Sequence, residues 1–177
     1  MNPNDLVGSN SAKTSPEILA KLAQSQSIHI RSNVAQNGAT PIEVLKLLAK
    51  DKHYAVRQSV AKNQSVTPDI LRELAKDINI SVRIAAYGSF MMPKEDLELA
   101  VSDESPRIRQ IVAQLEEASQ EALIALSMDD SWLVRMTVAR NPNAPKQAIE
   151  NLLDDKDADI HRVAISHPSI KNLTTFI

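Results

Sequence analysis

The chain has 177 residues, with no cysteine, only three glycines and 3% aromatic residues. Each shortage excludes something. Without cysteine there is no disulfide framework, no thiolate-ligated zinc, no iron–sulfur cluster and no thiol nucleophile. Three glycines are too few for a phosphate-cradling glycine-rich loop. With so few aromatics, any core must be aliphatic. A dominant charge is missing too: 20 Lys and Arg stand against 22 Asp and Glu, a net charge of -2, which disfavours a protein built mainly to bind phosphate. No stretch approaches the roughly 18 apolar residues of a membrane span. The opening MNPNDLVGSNSAKT lacks the basic start and apolar run of a secretory signal. The expectation is a folded cytoplasmic protein with no membrane association.

What the chain does have is repetition. Arg31, Arg57, Arg83, Arg109 and Arg135 each follow the last by 26 residues, and Arg162 follows after 27. Ile30, Val56, Val82, Ile108 and Val134 precede the first five, and His161 breaks the series. Three residues after each arginine stand Val34, Val60, Ala86, Val112, Val138 and Ile165; four after it stand Ala35, Ala61, Tyr87, Ala113, Ala139 and Ser166. Upstream run Leu19, Leu45, Leu71, Leu97, Leu123 and Ile149, and three positions later Leu22, Leu48, Leu74, Ala100, Leu126 and Leu152. Pro16, Pro41, Pro68, Pro93 and Pro145 open five units, with Ser119 in the remaining place. The sixth unit, with Arg162, is read with a one-residue shift.

These columns predict two helices per unit. In the second unit, Thr40 is expected to cap a helix whose first position is Pro41. Leu45, Leu48 and Ala49 share one face of it. Asp51 is expected to cap a shorter second helix with Val56, Val60 and Ala61 in its buried stripe. Asn63, a residue tolerant of left-handed geometry, is expected to end it. Helices of two or three turns are marginal alone and must be held by their neighbours. The expected architecture is therefore all-α: a right-handed α-solenoid, or superhelix, of about six 26-residue helical pairs. It would span residues 14–168. Residues 1–13, with Val7 and Asn10, would form a degenerate N-terminal cap. Residues 169–177, with Ile170 and Leu173, would form a C-terminal cap.

The stretch Thr40-Pro41, Leu45, Leu48-Ala49, Asp51, Val56-Arg57, Val60-Ala61, Asn63 resembles the unit of the leucine-rich repeat variant family, and the resemblance covers residues 14–168. It implies a HEAT-like solenoid in a bacterial protein and no single activity. Some members of that family carry a cysteine-ligated iron–sulfur cluster ahead of the repeats; a chain without cysteine does not.

Asp51, Asp77, Asp103 and Asp129 stand six residues before Arg57, Arg83, Arg109 and Arg135, whereas Arg31 has Ser25 there and Asp155 is seven before Arg162. Six residues is about 240° of helical rotation, so these groups are expected to meet through loops or between units, as a structural ladder. The rival is a row of arginines gripping a polyanion, against which the accompanying aspartates argue. His29, His53, His161 and His167 lack metal-ligand spacing, and no nucleophile elbow is present. Asp129-Asp130 and Asp154-Asp155 read as solvated turn charges. The reading assigns no catalytic residue, no cofactor and no metal.

On the second helices, the positions one and five after each arginine fall outside the buried stripe. Gln36, Gln58, Lys62, Ile84, Gln110, Gln114, Met136 and Arg140 there form the candidate partner-binding face, the alternative being plain solvated positions. Tyr54 and Trp132 share a column with Ile28, Ile80 and Pro106 that is expected in the core. Phe90, Met91 and Met92 interrupt the pattern, either sealing a change of curvature or forming an exposed patch. The functional expectation is a non-catalytic scaffold, monomeric or weakly oligomeric, that binds an unidentified protein or peptide on its concave face. Its rivals are a nucleic-acid-binding helical repeat, which the charge balance disfavours, and an accessory subunit of an enzyme.

Overall fold

The computed structural model describes residues 14–171. The proposed N-terminal cap, with Val7 and Asn10, and Leu173 lie outside the described residues. Among the described residues every regular element is helical, and no helix is long and apolar enough to cross a membrane.

The chain divides into two units, Met1–Pro93 and Lys94–Ile177. The first holds α1 (Pro16–Leu22), α2 (Ile28–Gln36), α3 (Ile42–Leu48), α4 (Tyr54–Ala61), α5 (Pro68–Leu74) and α6 (Ile80–Tyr87). Its second helices pack in succession, α2 on α4 and α4 on α6, and each first helix leans on its own partner. The other unit holds α7 (Lys94–Leu97), continued by a 3₁₀ turn η1 (Glu98–Ser102), then α8 (Pro106–Gln114), α9 (Gln120–Ser127), α10 (Trp132–Arg140), α11 (Lys146–Leu152), α12 (Ala158–Ser166) and α13 (Pro168–Lys171). Here α8, α10 and α12 stack in order, and so do α9 and α11. The helical pairs stacked side by side within each unit make the fold an all-α solenoid.

The sequence columns explain the packing. Leu19, Leu45, Leu71, Leu123 and Ile149 are completely buried, as are Val56, Val82, Ile108 and Val134. Each such side chain contributes about 1.5–3 kcal/mol by leaving water, which holds helices too short to persist alone. Ser15, Pro41, Thr67, Ser119 and Pro145 precede the first helices, all with ψ between 146° and 156°. Pro41 is thus the residue before the helix, and Thr40 does not cap it. The Thr40 hydroxyl is buried and donates to the Val34 carbonyl at 2.6 Å, closing the end of α2.

Asp51 does not cap α4 either. That place belongs to His53, whose Nδ1 accepts the Ala55 N–H. Asp51 sits two residues earlier and accepts the His53 N–H at 2.8 Å. Asp77, Asp103, Asp129 and Asp155 do the same for Asn79, Ser105, Ser131 and Asp157. The carboxylate therefore fixes the turn that launches the helix.

The sixth unit keeps the 26-residue register without a shift. His161, not Arg162, occupies the arginine column, and its Nδ1 contacts the Leu153 carbonyl. Ile160 and Ala164 are the buried residues of α12, while Ile165 is 52% exposed. Arg162 lies on the surface, paired with Asp159. Packing sets the register, because a shift would move Ile165 into the core and take Ala164 out.

Asparagine does not end the second helices through left-handed geometry, since among the described residues no non-glycine φ is positive. Asn63 and Asn141 are buried and turn back to the preceding pair. Asn63 donates from Nδ2 to the carbonyls of Ala35 (2.7 Å) and Asn37 (2.9 Å), and its Oδ1 accepts the Ser65 N–H. Asn141 repeats this with Ala113 and Leu115, both at 2.9 Å. His167 stands in the same column. Its Nδ1 accepts the Ser169 N–H, so its Nε2–H donates to the Asn141 carbonyl at 3.0 Å.

The column of Tyr54 and Trp132 is not core. Tyr54 is 44% and Trp132 57% exposed, because these are the first residues of their helices and project beyond the stripe that begins two positions later. The Phe90–Met92 segment is divided: Phe90 is exposed, and Met92 is buried in the place ahead of a first helix that Thr40 and Val66 fill elsewhere.

Candidate partner-binding face

Four arginines of the column, Arg31, Arg57, Arg109 and Arg135, reach forward to the next helical pair. Arg31 donates from Nε to Asp51 at 2.6 Å and from Nη2 to its other oxygen at 3.0 Å. Arg57 meets Asp77 at 2.5 and 2.8 Å, Arg109 meets Asp129 at 2.6 and 2.8 Å, and Arg135 meets Asp155 at 2.6 and 3.1 Å. The remaining nitrogen, Nη1, donates backward to a carbonyl six residues upstream: Ser25, Asp51, Asp103 and Asp129 respectively. Arg83 does likewise with Asp77 at 2.9 Å. One flat guanidinium thus holds its own turn by one edge and the next by the other, a bidentate geometry that lysine cannot copy. For Arg57, Arg109 and Arg135 the aspartate six residues before is therefore not the ion-pair partner; that partner lies 20 residues ahead.

All four paired aspartates titrate below the usual carboxylate range. For Asp77 and Asp155 the arginine hydrogen bonds dominate and outweigh burial. For Asp51 and Asp129 burial pushes up, and the arginine and turn N–H bonds together overcome it. A folded-state pKa below the unfolded value of about 3.9 means that this stabilisation is complete above that value and is lost as pH falls through it toward the folded pKa. The urea midpoint is expected to fall as pH drops below about 4. Asp77→Asn, already without that charge, is expected to lose less over the same interval. Equal losses in both proteins would contradict an ion-pair origin.

The eight face positions differ in what they offer. In the first unit Gln36 is exposed and donates to Ser59 Oγ (3.1 Å), and Gln58 is half-buried and donates to the Ser81 carbonyl (3.3 Å). Lys62 is exposed and Ile84 half-buried. In the second unit Gln110 donates to Thr137 Oγ1 at 3.3 Å. Three of the glutamines therefore span successive pairs. Gln114 and Arg140 are exposed, and Met136 is 7% exposed.

Four of the eight, Gln110, Gln114, Met136 and Arg140, come together in a groove of about 580 Å³ between α8, α10 and α12. Met136 and Ala113 lie in its floor, Trp132 stands in its wall, and Glu116, Asp159, Arg162 and Val163 complete the rim. The sequence reading missed Trp132 and Arg162 as groove residues. The signal for Trp132 was its place at the start of a helix, ahead of the buried stripe. The signal for Arg162 was its failure to keep the 26-residue spacing.

No protein-family model matches the chain, and no curated protein is significantly similar to it. Among solved structures it is similar to a leucine-rich repeat variant with a novel repetitive structural motif, with 25% identity over 93% of this chain and 81% of that one, at a TM-score of 0.61. An engineered protein aligns with 97% of this chain and 88% of its own length, at 17% identity and a TM-score of 0.34. In fold, the protein is similar to a leucine-rich repeat variant, as the columns of its sequence imply.

Proposed function

We propose that the protein is a non-catalytic cytoplasmic scaffold that holds a partner protein on the face of its second helices, with the groove of the second unit as the main contact. The observation that supports this is one groove combining a half-exposed Trp132, Met136 in the floor and the guanidinium of Arg140. Tryptophan and arginine are the side chains in which protein interfaces concentrate their energy, above all beside a pocket that can be dried. The arginine column argues against the nucleic-acid reading. Four of its members are engaged by carboxylates, so they present no row of cations to a phosphate backbone. The test is capture from the native cell lysate by the immobilised protein, compared with Trp132→Ala and with Lys62→Glu combined with Arg140→Glu. A partner retained by the wild type is expected to be lost from both variants. Equal capture by all three would refute this face, and duplex DNA affinity falling steeply with salt would favour the nucleic-acid rival.

A further inference from the structure

We propose that the groove of the second unit takes an extended peptide segment in which a single acidic side chain stands at a fixed spacing from an apolar one. The proposal names the partner chemistry of the scaffold reading and rests on it. Trp132, Met136 and Arg140 stand at i, i+4 and i+8 of α10 and therefore share one helical face. At a rise of 1.5 Å per residue, Arg140 lies about 12 Å beyond Trp132. An extended chain covers that distance in about three to four residues at roughly 3.3 Å each. An apolar side chain over Met136 and the Trp132 indole thus puts a carboxylate of the same segment at Arg140.

The charges select that carboxylate. Arg162, on the rim, is paired with Asp159. Arg140 has no acidic partner among the described residues, so it is the groove's uncompensated cation. Glu116, also on the rim, repels a second negative group. The match is one acidic residue rather than an acidic run or a phosphate chain. Gln114, exposed on the same rim, offers one amide donor set and one acceptor, as the main chain of an extended peptide requires.

Trp132 is the only tryptophan in the chain, so its fluorescence reads the groove directly. The experiment screens the full chain against an array of short synthetic peptides with blocked ends, then titrates the best binders against Trp132 emission. Enriched peptides are expected to carry one Asp or Glu at the stated spacing from Leu, Met or Phe, and to shift the emission saturably. Arg140→Glu is expected to weaken them about tenfold or more and to move the preference at that place to Lys or Arg. Peptides that shift the emission with no preference at that place, or with unchanged affinity for Arg140→Glu, would overturn this inference and leave the scaffold reading standing. If no peptide shifts the emission and Trp132→Ala enriches the same set as wild type, the groove reading falls as well. Preference for acidic runs, or a short DNA duplex that shifts the emission where peptides do not, would overturn the single-carboxylate match in favour of a polyanion.

Discussion

Asp77→Ala is expected to lower the folding free energy by about 3 kcal/mol or more, read from the urea midpoint. Asp77 accepts two bonds from Arg57, at 2.5 and 2.8 Å, and the Asn79 N–H at 2.8 Å. Its removal leaves a nearly buried guanidinium without its bidentate partner and a turn without its clamp, and losing one member of such a pair costs far more than the intact pair contributes. Glu43→Ala is the comparison. Glu43 pairs with Lys46 at 2.9 Å, but the two side chains are 81% and 53% exposed. An exposed i,i+3 pair contributes at most about 0.5 kcal/mol. Similar losses for the two substitutions would mean that the arginine column is surface decoration.

Asn63→Asp is expected to destabilise at least as strongly as Asn63→Ala, by about 2–4 kcal/mol at neutral pH. Alanine removes the donor to the Ala35 and Asn37 carbonyls, of which Asn37 keeps only the Thr40 N–H, and removes the acceptor of the Ser65 N–H. Aspartate keeps the acceptor for Ser65 and turns its other, charged oxygen onto two carbonyl oxygens. Its folded-state pKa must then rise, so by linkage part of the loss returns as pH falls through that value. Thermal melts at neutral and mildly acid pH check this. The aspartate variant is expected to recover on acidification and the alanine variant not to.

Much of this was legible in the sequence. A 26-residue beat with leucine, valine and arginine columns specifies helical pairs, and most of the residues those columns name are buried, with Leu22, Ile30 and Leu97 half-buried and Ile165 and Ser166 exposed. Legible too was that an arginine and the aspartate six residues before it cannot meet within one helix. The details lost were those in which one residue type suits two geometries. Asparagine fits a left-handed turn and also fits a buried bridge between carbonyls; only the preceding pair, 26 to 28 residues away, decides for the bridge. Aspartate before a helix fits a cap and also a turn two residues ahead of it. Arg162 drew the sixth unit out of register because arginine marked the column, yet the burial of Ile160 and Ala164 fixed the frame with His161 in its place. The groove was half visible. Gln110, Gln114, Met136 and Arg140 follow from helical periodicity, whereas Trp132 needed knowledge of where α10 begins.

A double-mutant cycle on Arg57→Met and Asp77→Ala is the most direct measurement of whether guanidinium groups join successive helical pairs. The coupling free energy is expected to be about 2 kcal/mol or more. Two effects that simply add, to within about 0.5 kcal/mol, would contradict it.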